Sequence, residues 1–176
     1  MALSSILLEF LKKQPGFSDA QVFEKAAWGS QNPSHRTLMR EELSALFSDS
    51  TLHTSVSHCE GSGIVVASRF PIGVDVEVSA RVEDKVVARI SSLEELKAAP
   101  NAAALWSAKE ACFKALRSYE QPSVISKISV GAWQNIDSQT ETYRLLNAEE
   151  FYSPFENHGI VLFSEPFVYS FFVFHS

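Results

Sequence analysis

Residues 73–78 read GVDVEV, and this short run decides the fold and raises the question of function. Valine is enriched in strands, and strand side chains alternate between two faces. The valines therefore point toward a core, while Asp75 and Glu77 point to the other face. With a rise of about 3.3 Å per residue, the two carboxylates stand roughly 7 Å apart. Taken alone, the run is typical of a strand with a polar outer face, unless another segment uses the acids.

The composition is that of an ordinary globular protein. The chain has 176 residues, of which 45% are hydrophobic and 20% charged, so it can bury a core without disulfides or metal. A net charge of −6 argues against general nucleic-acid binding but allows a local basic pocket. Cys59 and Cys112 fit neither a zinc site nor a disulfide framework and indicate a reducing compartment. Residues 1–13 make a poor signal peptide and no stretch has transmembrane length, so we expect a cytoplasmic protein.

The order of helical and β-type patterns predicts an α+β fold. Helical patterns cover residues 1–13 and about 34–47, with Ser34 as the expected N-cap of the second helix, and a helical block covers 81–118. Further β-type runs lie at 52–58, 63–68, 73–78, 124–133, 140–146, 158–163 and 167–174. Tight turns between the first three runs predict an antiparallel meander.

The same order predicts two α+β halves joined near residue 80. We expect an N-terminal half at 1–79 and a C-terminal half at 80–176, packed as one compact unit.

The last helix of the block, at 102–118, contains WSAKEACFKAL. Five of its residues share one face and form the expected buried stripe: Leu105, Ala108, Cys112, Ala115 and Leu116. Glu110 and Lys114 stand one turn apart beside this stripe, a spacing that also occurs in ordinary exposed ion pairs. Lys109 falls within the apolar arc, where an ammonium must extend to solvent or meet an anion.

The two segments together offer ligands for a hard cation. Asp75, Glu77 and Glu110 supply three carboxylates, and Mg²⁺ takes a few protein oxygens and fills its other positions with water and phosphate. Lys109 and Lys114 beside that ion would suit a pyrophosphate. Without a cation the acids would repel a phosphate ester, so the residues favour phosphoryl transfer in which a metal reverses the local charge.

These segments also resemble a known family. GVDVE at 73–77 and WSAKEACFK at 106–114 resemble the two signature motifs of the 4′-phosphopantetheinyl transferases, G-[IV]-D-[IV]-E and W-[ST]-x-K-E-[AS]-x-x-K. SVSHCEGSGIVVAS at 55–68 resembles the strands before the first motif in surfactin-type members, and ISSLE at 90–94 resembles their F-[ST]-x-x-E element. The ordered resemblance covers about residues 52–130.

The resemblance implies transfer of the phosphopantetheine arm of coenzyme A to a carrier-protein serine, with release of adenosine 3′,5′-bisphosphate. By position, Asp75 and Glu110 would bind Mg²⁺ or Mn²⁺, with Glu77 as a direct or water-mediated third ligand. Glu110, or a water held by the acids, would be the general base, and Lys114 would neutralise or protonate the leaving bisphosphate. Glu94 would touch the metal region or orient the nucleophile, although an acid in a first helical turn is favoured in any protein.

The resemblance also implies contacts with coenzyme A. Lys109 and Lys114 would face its phosphates. His58 would contact the 3′-phosphate, where the alternative is an ordinary hydrogen-bonded strand histidine. Arg36 and Arg40 are the candidates for gripping adenine and phosphate.

The family fold implies a monomer of two related α+β halves with coenzyme A between them. The expected partner is an apo acyl or peptidyl carrier protein, with no nucleic acid and no membrane, and it stays open whether fatty acid, polyketide or peptide synthesis is served. The chain departs from the family pattern at Cys59, where serine is usual, and at Arg89 and Ile90, where two phenylalanines are usual. Two alternatives remain: a relative that binds coenzyme A or a carrier protein without chemistry, and a different magnesium-dependent phosphotransferase, although the chain lacks a P-loop pattern.

Overall fold

The computed structural model describes residues 9, 11–13, 17–29, 33–46 and 51–176. The strands in this part of the chain are β1 (Gln21–Lys25), β2 (His53–Cys59), β3 (Ser62–Ser68), β4 (Ile72–Val78), β5 (Val130–Asp137), β6 (Thr140–Leu145), β7 (His158–Ser164) and β8 (Phe167–Val173). The α-helices are α1 (Pro33–Leu46), α2 (Asp84–Val87), α3 (Leu93–Ala98) and α4 (Ala102–Ala115), with short 3-10 turns between elements. The expected α+β class is confirmed. The helix expected at 1–13 lies mostly outside the described residues.

The strands form two antiparallel sheets. The first has the order β1-β3-β2 and the second β4-β8-β7-β6-β5. The expected three-stranded meander is therefore wrong in its last member: β2 and β3 form a hairpin, but β4 pairs with β8, so that Asp75 lies opposite Ser170. The reason is that β1 pairs with the edge of β3 that a meander would offer to β4, and β4 pairs instead with the apolar strand β8.

Serine side chains join the two sheets. The backbone N–H of Val74 donates to Ser55 Oγ at 3.1 Å, and that of Val76 donates to Ser57 Oγ at 3.2 Å. Because the paired residue numbers rise together, β2 and β4 run in the same direction where they meet. The hydroxyls replace a backbone ladder and satisfy buried N–H groups of β4. This arrangement brings Ser57 next to Asp75.

The second sheet lies between two apolar clusters. One face packs on α4, and the other face packs on residues of the first sheet such as Ile64 and Val66. A Cβ added at Gly73 would lie 1.8 Å from the carbonyl oxygen of Ala111, so glycine is required for α4 to approach β4 this closely. The expected apolar stripe is confirmed, since all five of its residues are buried; four lie on α4 and Leu116 lies in the 3-10 turn that follows it.

Several boundaries differ from those expected. Helix α1 begins at Pro33, so Ser34 lies inside it and is not the N-cap; a proline suits the first helical position because its missing N–H would be unpaired there. The β-type run at 124–133 becomes a strand only from Val130, after a 3-10 turn at Ile125–Lys127.

The helical block at 81–118 divides into short helices. Helix α3 has Ser92 as its N-cap and α4 has Asn101, whose side chain accepts from Ala104 N–H at 2.8 Å. In the part of the chain that the structure describes, no helix is both long and apolar enough to cross a membrane. The chain passes from the first sheet to the second between β3 and β4, and the proposed division at residue 80 stays a prediction.

Candidate active site

The site lies where α4 crosses the polar face of β4. Gly73 contacts the α4 backbone at Ala111 and Ala115, and Lys114 Nζ reaches Asp75 Oδ1 at 2.8 Å. Trp106, Glu110 and Lys114 follow one another at intervals of four residues and therefore share one side of the helix.

Asp75 is the innermost acid of the site, with only 2% of its surface exposed. Its Oδ1 accepts from Ser57 Oγ at 2.9 Å and from Lys114 Nζ at 2.8 Å. Its Oδ2 is buried and has no hydrogen-bond partner among the described residues. A buried carboxylate oxygen without a partner is costly, so this atom is suited to bind a ligand such as a cation or water.

Lys114 links this carboxylate to the solvent side of the site. Besides Asp75, its ammonium donates to Val74 O and to Ser57 Oγ, each at 3.1 Å. The side chain is 26% exposed. A cation anchored in this way has a fixed position and remains within reach of a bound anion.

Glu77 and Glu110 are half-buried, and the negative charge of Asp75 repels both carboxylates. Burial and the negative charges of Asp75 and Glu110 raise the pKa of Glu77 to about 6, while a hydrogen bond from Trp106 and the charge of Lys114 act against this rise. Burial, followed by the charge of Asp75, also raises the pKa of Glu110, and Lys114 again opposes the shift. The acids therefore repel one another, and a cation among them would relieve that repulsion.

The donor set fits a magnesium-type cation, although it is not a preformed cage. Among the described residues, no group of three or more His, Cys, Asp or Glu is gathered closely enough to hold a metal by itself. Mg²⁺ needs no such cage, because it keeps several waters and takes one or two carboxylates plus substrate phosphates. Such an ion would bind the partnerless Oδ2 of Asp75. It would also relieve the repulsion that raises the pKa values of Glu77 and Glu110.

A family model of the 4′-phosphopantetheinyl transferase superfamily matches residues 71–164, which is more than half of the chain and includes the acids and lysines above. The chain belongs to this superfamily. Its general chemistry is transfer of phosphopantetheine from coenzyme A to carrier proteins. A search of curated proteins finds no significant match. Strands β1 to β3 precede the matched region, so residues such as His58 are not covered by it.

Lys109 belongs to the transferase signature, but the structure does not bring it to the site. Its side chain is fully buried, and its ammonium contacts Glu95 Oε1 at 2.8 Å, Ile90 O at 2.9 Å and Ile128 O at 2.6 Å. Because the side chain has no exposed surface, the ammonium cannot reach a bound phosphate without breaking these contacts. The expectation that Lys109 faces the phosphates of coenzyme A therefore has no support from its position.

Glu95, which the sequence reasoning missed, replaces Glu94 as the connected acid of the F-[ST]-x-x-E-like element. Glu94 is exposed on α3. Glu95 is buried, and it accepts from Ser92 N–H at 2.8 Å and from Val130 N–H at 3.0 Å. The signal in the sequence was a capping box, in which a serine is followed three residues later by a glutamate. The capping box here joins Ser92 to Glu95, one residue later than the Ser91 and Glu94 of the family-like element.

His58 and Arg40, two of the residues expected to grip the nucleotide, lie outside this cluster. His58 is exposed at the end of β2, and alternation turns it away from the side on which Ser57 faces Asp75. Arg40 is exposed on α1, which packs on the first sheet through Met39 and Trp28. The side chain of Arg36 lies outside the described part of the structure. The roles of these residues in binding coenzyme A stay predictions.

Ser57 and Cys59 lie on the β2 side of the candidate site. Ser57, also missed by the sequence reasoning, holds Asp75 and Lys114 together; a serine in a strand gives no local signal of such a role. Burial and the charges of Glu77 and Asp75 raise the pKa of Cys59 to about 11. The thiol is therefore protonated near neutral pH and adds no charge to the site.

Proposed function

We propose that the chain transfers 4′-phosphopantetheine from coenzyme A to a serine hydroxyl of an apo acyl or peptidyl carrier protein and releases adenosine 3′,5′-bisphosphate. The observation that carries this proposal is the buried Asp75 carboxylate, held by Ser57 and Lys114 through one oxygen and left without a partner at the other. It lies beside Glu77 and Glu110 inside the region that matches the superfamily.

The three acids would hold Mg²⁺ or Mn²⁺, with Glu77 contributing directly or through a water. When bound, the ion would neutralise charge on the carboxylates and on the diphosphate of coenzyme A. The metal assignment is part of the proposal and rests on the partnerless oxygen of Asp75 and on the mutual repulsion of the acids.

Glu110 would take the proton of the attacking serine, directly or through a water. Glu110 is half-buried beside Asp75, and its carboxylate, or a water that it orients, would accept this proton. The serine oxygen then forms its bond to the β-phosphorus of coenzyme A, and the bond from that phosphorus to the leaving bisphosphate oxygen breaks.

Lys114 stabilises the leaving group. Its ammonium is fixed by Asp75 and Val74 O and is partly exposed. As the phosphorus–oxygen bond breaks, negative charge collects on the departing bisphosphate, and a positioned cation stabilises that charge most strongly in the transition state. Lys114 neutralises this oxygen or donates a proton to it.

The test is a mass measurement on carrier proteins. The purified chain is incubated with coenzyme A, MgCl₂ and a panel of apo acyl and peptidyl carriers, with a carrier whose acceptor serine is alanine as the control. A mass gain of one phosphopantetheine on the matched carrier alone supports the proposal. No gain on any carrier, with coenzyme A still bound, would instead support the alternative of a binding relative.

Asp75→Ala provides the matched test of the metal. We expect it to lower transfer by at least about 10³-fold, because the innermost ligand is lost, while the circular dichroism spectrum is unchanged. Wild-type turnover at the full rate in excess chelator, with no divalent ion present, would contradict the metal assignment.

The cellular setting belongs to the proposal as well. We propose a cytoplasmic monomer that binds coenzyme A between its two halves, with His58, Arg36 and Arg40 on the nucleotide side. The carrier panel would also indicate whether fatty acid, polyketide or peptide synthesis is the pathway served.

A further inference from the structure

Ser55 and Ser57 carry two hydroxyls on the same face of β2, and both hydroxyls link β2 to β4. Each serine is buried, with 7% of its surface exposed. Ser55 Oγ accepts from the backbone N–H of Val74 at 3.1 Å, and Ser57 Oγ accepts from that of Val76 at 3.2 Å. As links between the two sheets the serines are therefore equivalent, and they differ in their other contacts.

Ser57 also contacts the two charged groups of the candidate site. Its hydroxyl donates to Asp75 Oδ1 at 2.9 Å and accepts from Lys114 Nζ at 3.1 Å. A serine hydroxyl has one hydrogen to donate and two lone pairs that accept, so the bonds to Asp75, Lys114 and the N–H of Val76 use its full capacity. Within the described residues, Ser55 makes no hydrogen bond to Asp75 or Lys114.

The contact decides how the Asp75 carboxylate is turned. Ser57 and Lys114 both donate to Oδ1, which leaves Oδ2 as the buried oxygen without a partner among the described residues. With Lys114 alone, a point charge on a flexible four-carbon stem would set the orientation of the carboxylate. The Ser57 hydroxyl adds a second donor from a strand that is itself bonded to β4, so the carboxylate is held from both β2 and α4.

We propose that Ser57 is a positioning residue that turns Oδ2 of Asp75 toward the cation and keeps the Lys114 ammonium against Oδ1. Hydrogen-bond partners of a metal-ligating carboxylate orient the ligand, and their loss lowers metal affinity. Ser57 precedes residue 71, where the superfamily match begins, so the first sheet supplies a working part of the site. The inference rests on the proposed function, because it takes Asp75 as a cation ligand.

The test compares Mn²⁺ binding in full-length variants, measured by titration calorimetry and by the electron paramagnetic resonance signal of free Mn²⁺. Ser57→Ala removes the hydroxyl from the charged pair and from the N–H of Val76. Ser55→Ala is the matched control, because it removes an equally buried hydroxyl from the equivalent N–H of Val74. Ser57→Cys and Ser55→Cys repeat the comparison if an alanine variant fails to fold, because a thiol fills the space but is only a weak donor and acceptor.

We expect Ser57→Ala to weaken Mn²⁺ binding about tenfold, as the loss of a hydrogen-bond partner of a metal ligand does, and Ser55→Ala to change it by less than about twofold. Ser57→Thr keeps a hydroxyl with the same donor and acceptors, so it should bind Mn²⁺ within about twofold of the wild type. Both alanine variants lose one link between the sheets, and thermal unfolding of each variant measures that shared effect.

The outcomes separate this inference from the proposed function. If the wild type binds Mn²⁺ and the Ser57 variant without a hydroxyl binds it equally well, the positioning role is wrong while the metal site stands. If the Ser57 and Ser55 variants weaken binding by the same factor, the cause is a loosened contact between the sheets, and the inference is again wrong. Binding by Ser57→Thr as weak as that by Ser57→Ala would also contradict it, because the hydroxyl would then not be what the site requires. If the wild type binds no Mn²⁺, the metal assignment itself fails, and the role of Ser57 fails with it.

Discussion

Helix α4 carries two lysines, five residues apart, that pair with carboxylates at the same distance and yet have different surroundings. Lys109 lies 2.8 Å from Glu95 in a fully buried pair, and Lys114 lies 2.8 Å from Asp75 in a pair that is open on the lysine side. Around Glu95 both carboxylate oxygens have partners. Around Asp75 one oxygen has none among the described residues.

The difference teaches that a buried ion pair does not by itself mark a functional site. The Lys109 pair ties α4 to the cap of α3 and to the start of β5, and it leaves no group for a ligand. The Lys114 pair has an oxygen without a partner, a partly exposed cation and two neighbouring acids. Residual binding capacity, more than burial, distinguishes the site from the structural pair.

The largest effect is expected from breaking the fully buried pair of Lys109 and Glu95, which we call the closed pair. Lys109→Met leaves the Glu95 carboxylate buried without its counterion, which costs about 3–5 kcal/mol of unfolding free energy. Urea unfolding measures this cost, with Lys97→Met as the control because Lys97 is an exposed lysine on α3. The double variant Lys109→Met/Glu95→Gln should recover part of the loss. A Lys109→Met protein as stable as the control would show that the pair is not structural.

We call the pair of Lys114 and Asp75 the open pair, because its lysine is partly exposed. Breaking it should lower the rate of transfer more than the stability of the fold. Lys114→Met should lower kcat by about 10²–10³-fold with a smaller change in the KM for coenzyme A, because its ammonium acts on charge that develops in the transition state. Steady-state kinetics on a carrier that the wild type modifies measures both constants, and Lys127→Met, which changes an exposed lysine away from the acids, is the control. A normal kcat with a raised KM would make Lys114 a binding residue only.

Local sequence patterns predicted the functional strand and helix, because alternation and helical periodicity depend on near neighbours. They placed Asp75 and Glu77 opposite the valines of β4 and set the buried stripe of α4. They did not predict that β4 pairs with β8, since its partner lies almost a hundred residues away along the chain. Long-range pairing of this kind is decided by packing on both sheet faces, which no local window contains.

The same limit explains why the sequence did not show the surroundings of Lys109, Glu94 and Ser57. The helical wheel identified Lys109 as a lysine in an apolar arc, but the partners that neutralise it come from α3 and from two loops. Glu94 and Glu95 are adjacent acids, and only the capping geometry of Ser92 separates the exposed one from the buried one. Ser57 escaped attention because a serine in a strand has no distinctive pattern until Asp75 lies beside it.

The smallest expected effect is on stability and concerns Glu77, beside the open pair. Removing its charge should stabilise the fold, whereas breaking the closed pair should destabilise it. The pKa of Glu77 is raised from 4.5 to about 6, so the folded state binds its proton more tightly than the unfolded state does. Stability therefore falls as pH rises through this interval, and the ionised carboxylate destabilises the fold above it. A rise of this size corresponds to about 2 kcal/mol of unfolding free energy at most, and roughly 1 kcal/mol is expected because the side chain is only half-buried.

Glu77→Gln should thus be about 1 kcal/mol more stable to unfolding than the wild type at pH 7.5 in chelator and equal to it at pH 4.

Urea unfolding at the two pH values measures this difference, and Glu94→Gln, an exposed acid on α3, is the control. Glu95→Gln provides the contrast, because it should lower stability by weakening the closed pair with Lys109. Saturating Mg²⁺ should reverse the order of wild type and Glu77→Gln, since the ion stabilises the form whose ligands are complete. If Glu77→Gln is equally more stable at pH 4, relief of charge repulsion is not the cause of its gain in stability. The contrast between Glu77 beside the open pair and Glu95 in the closed pair would then not be explained by charge.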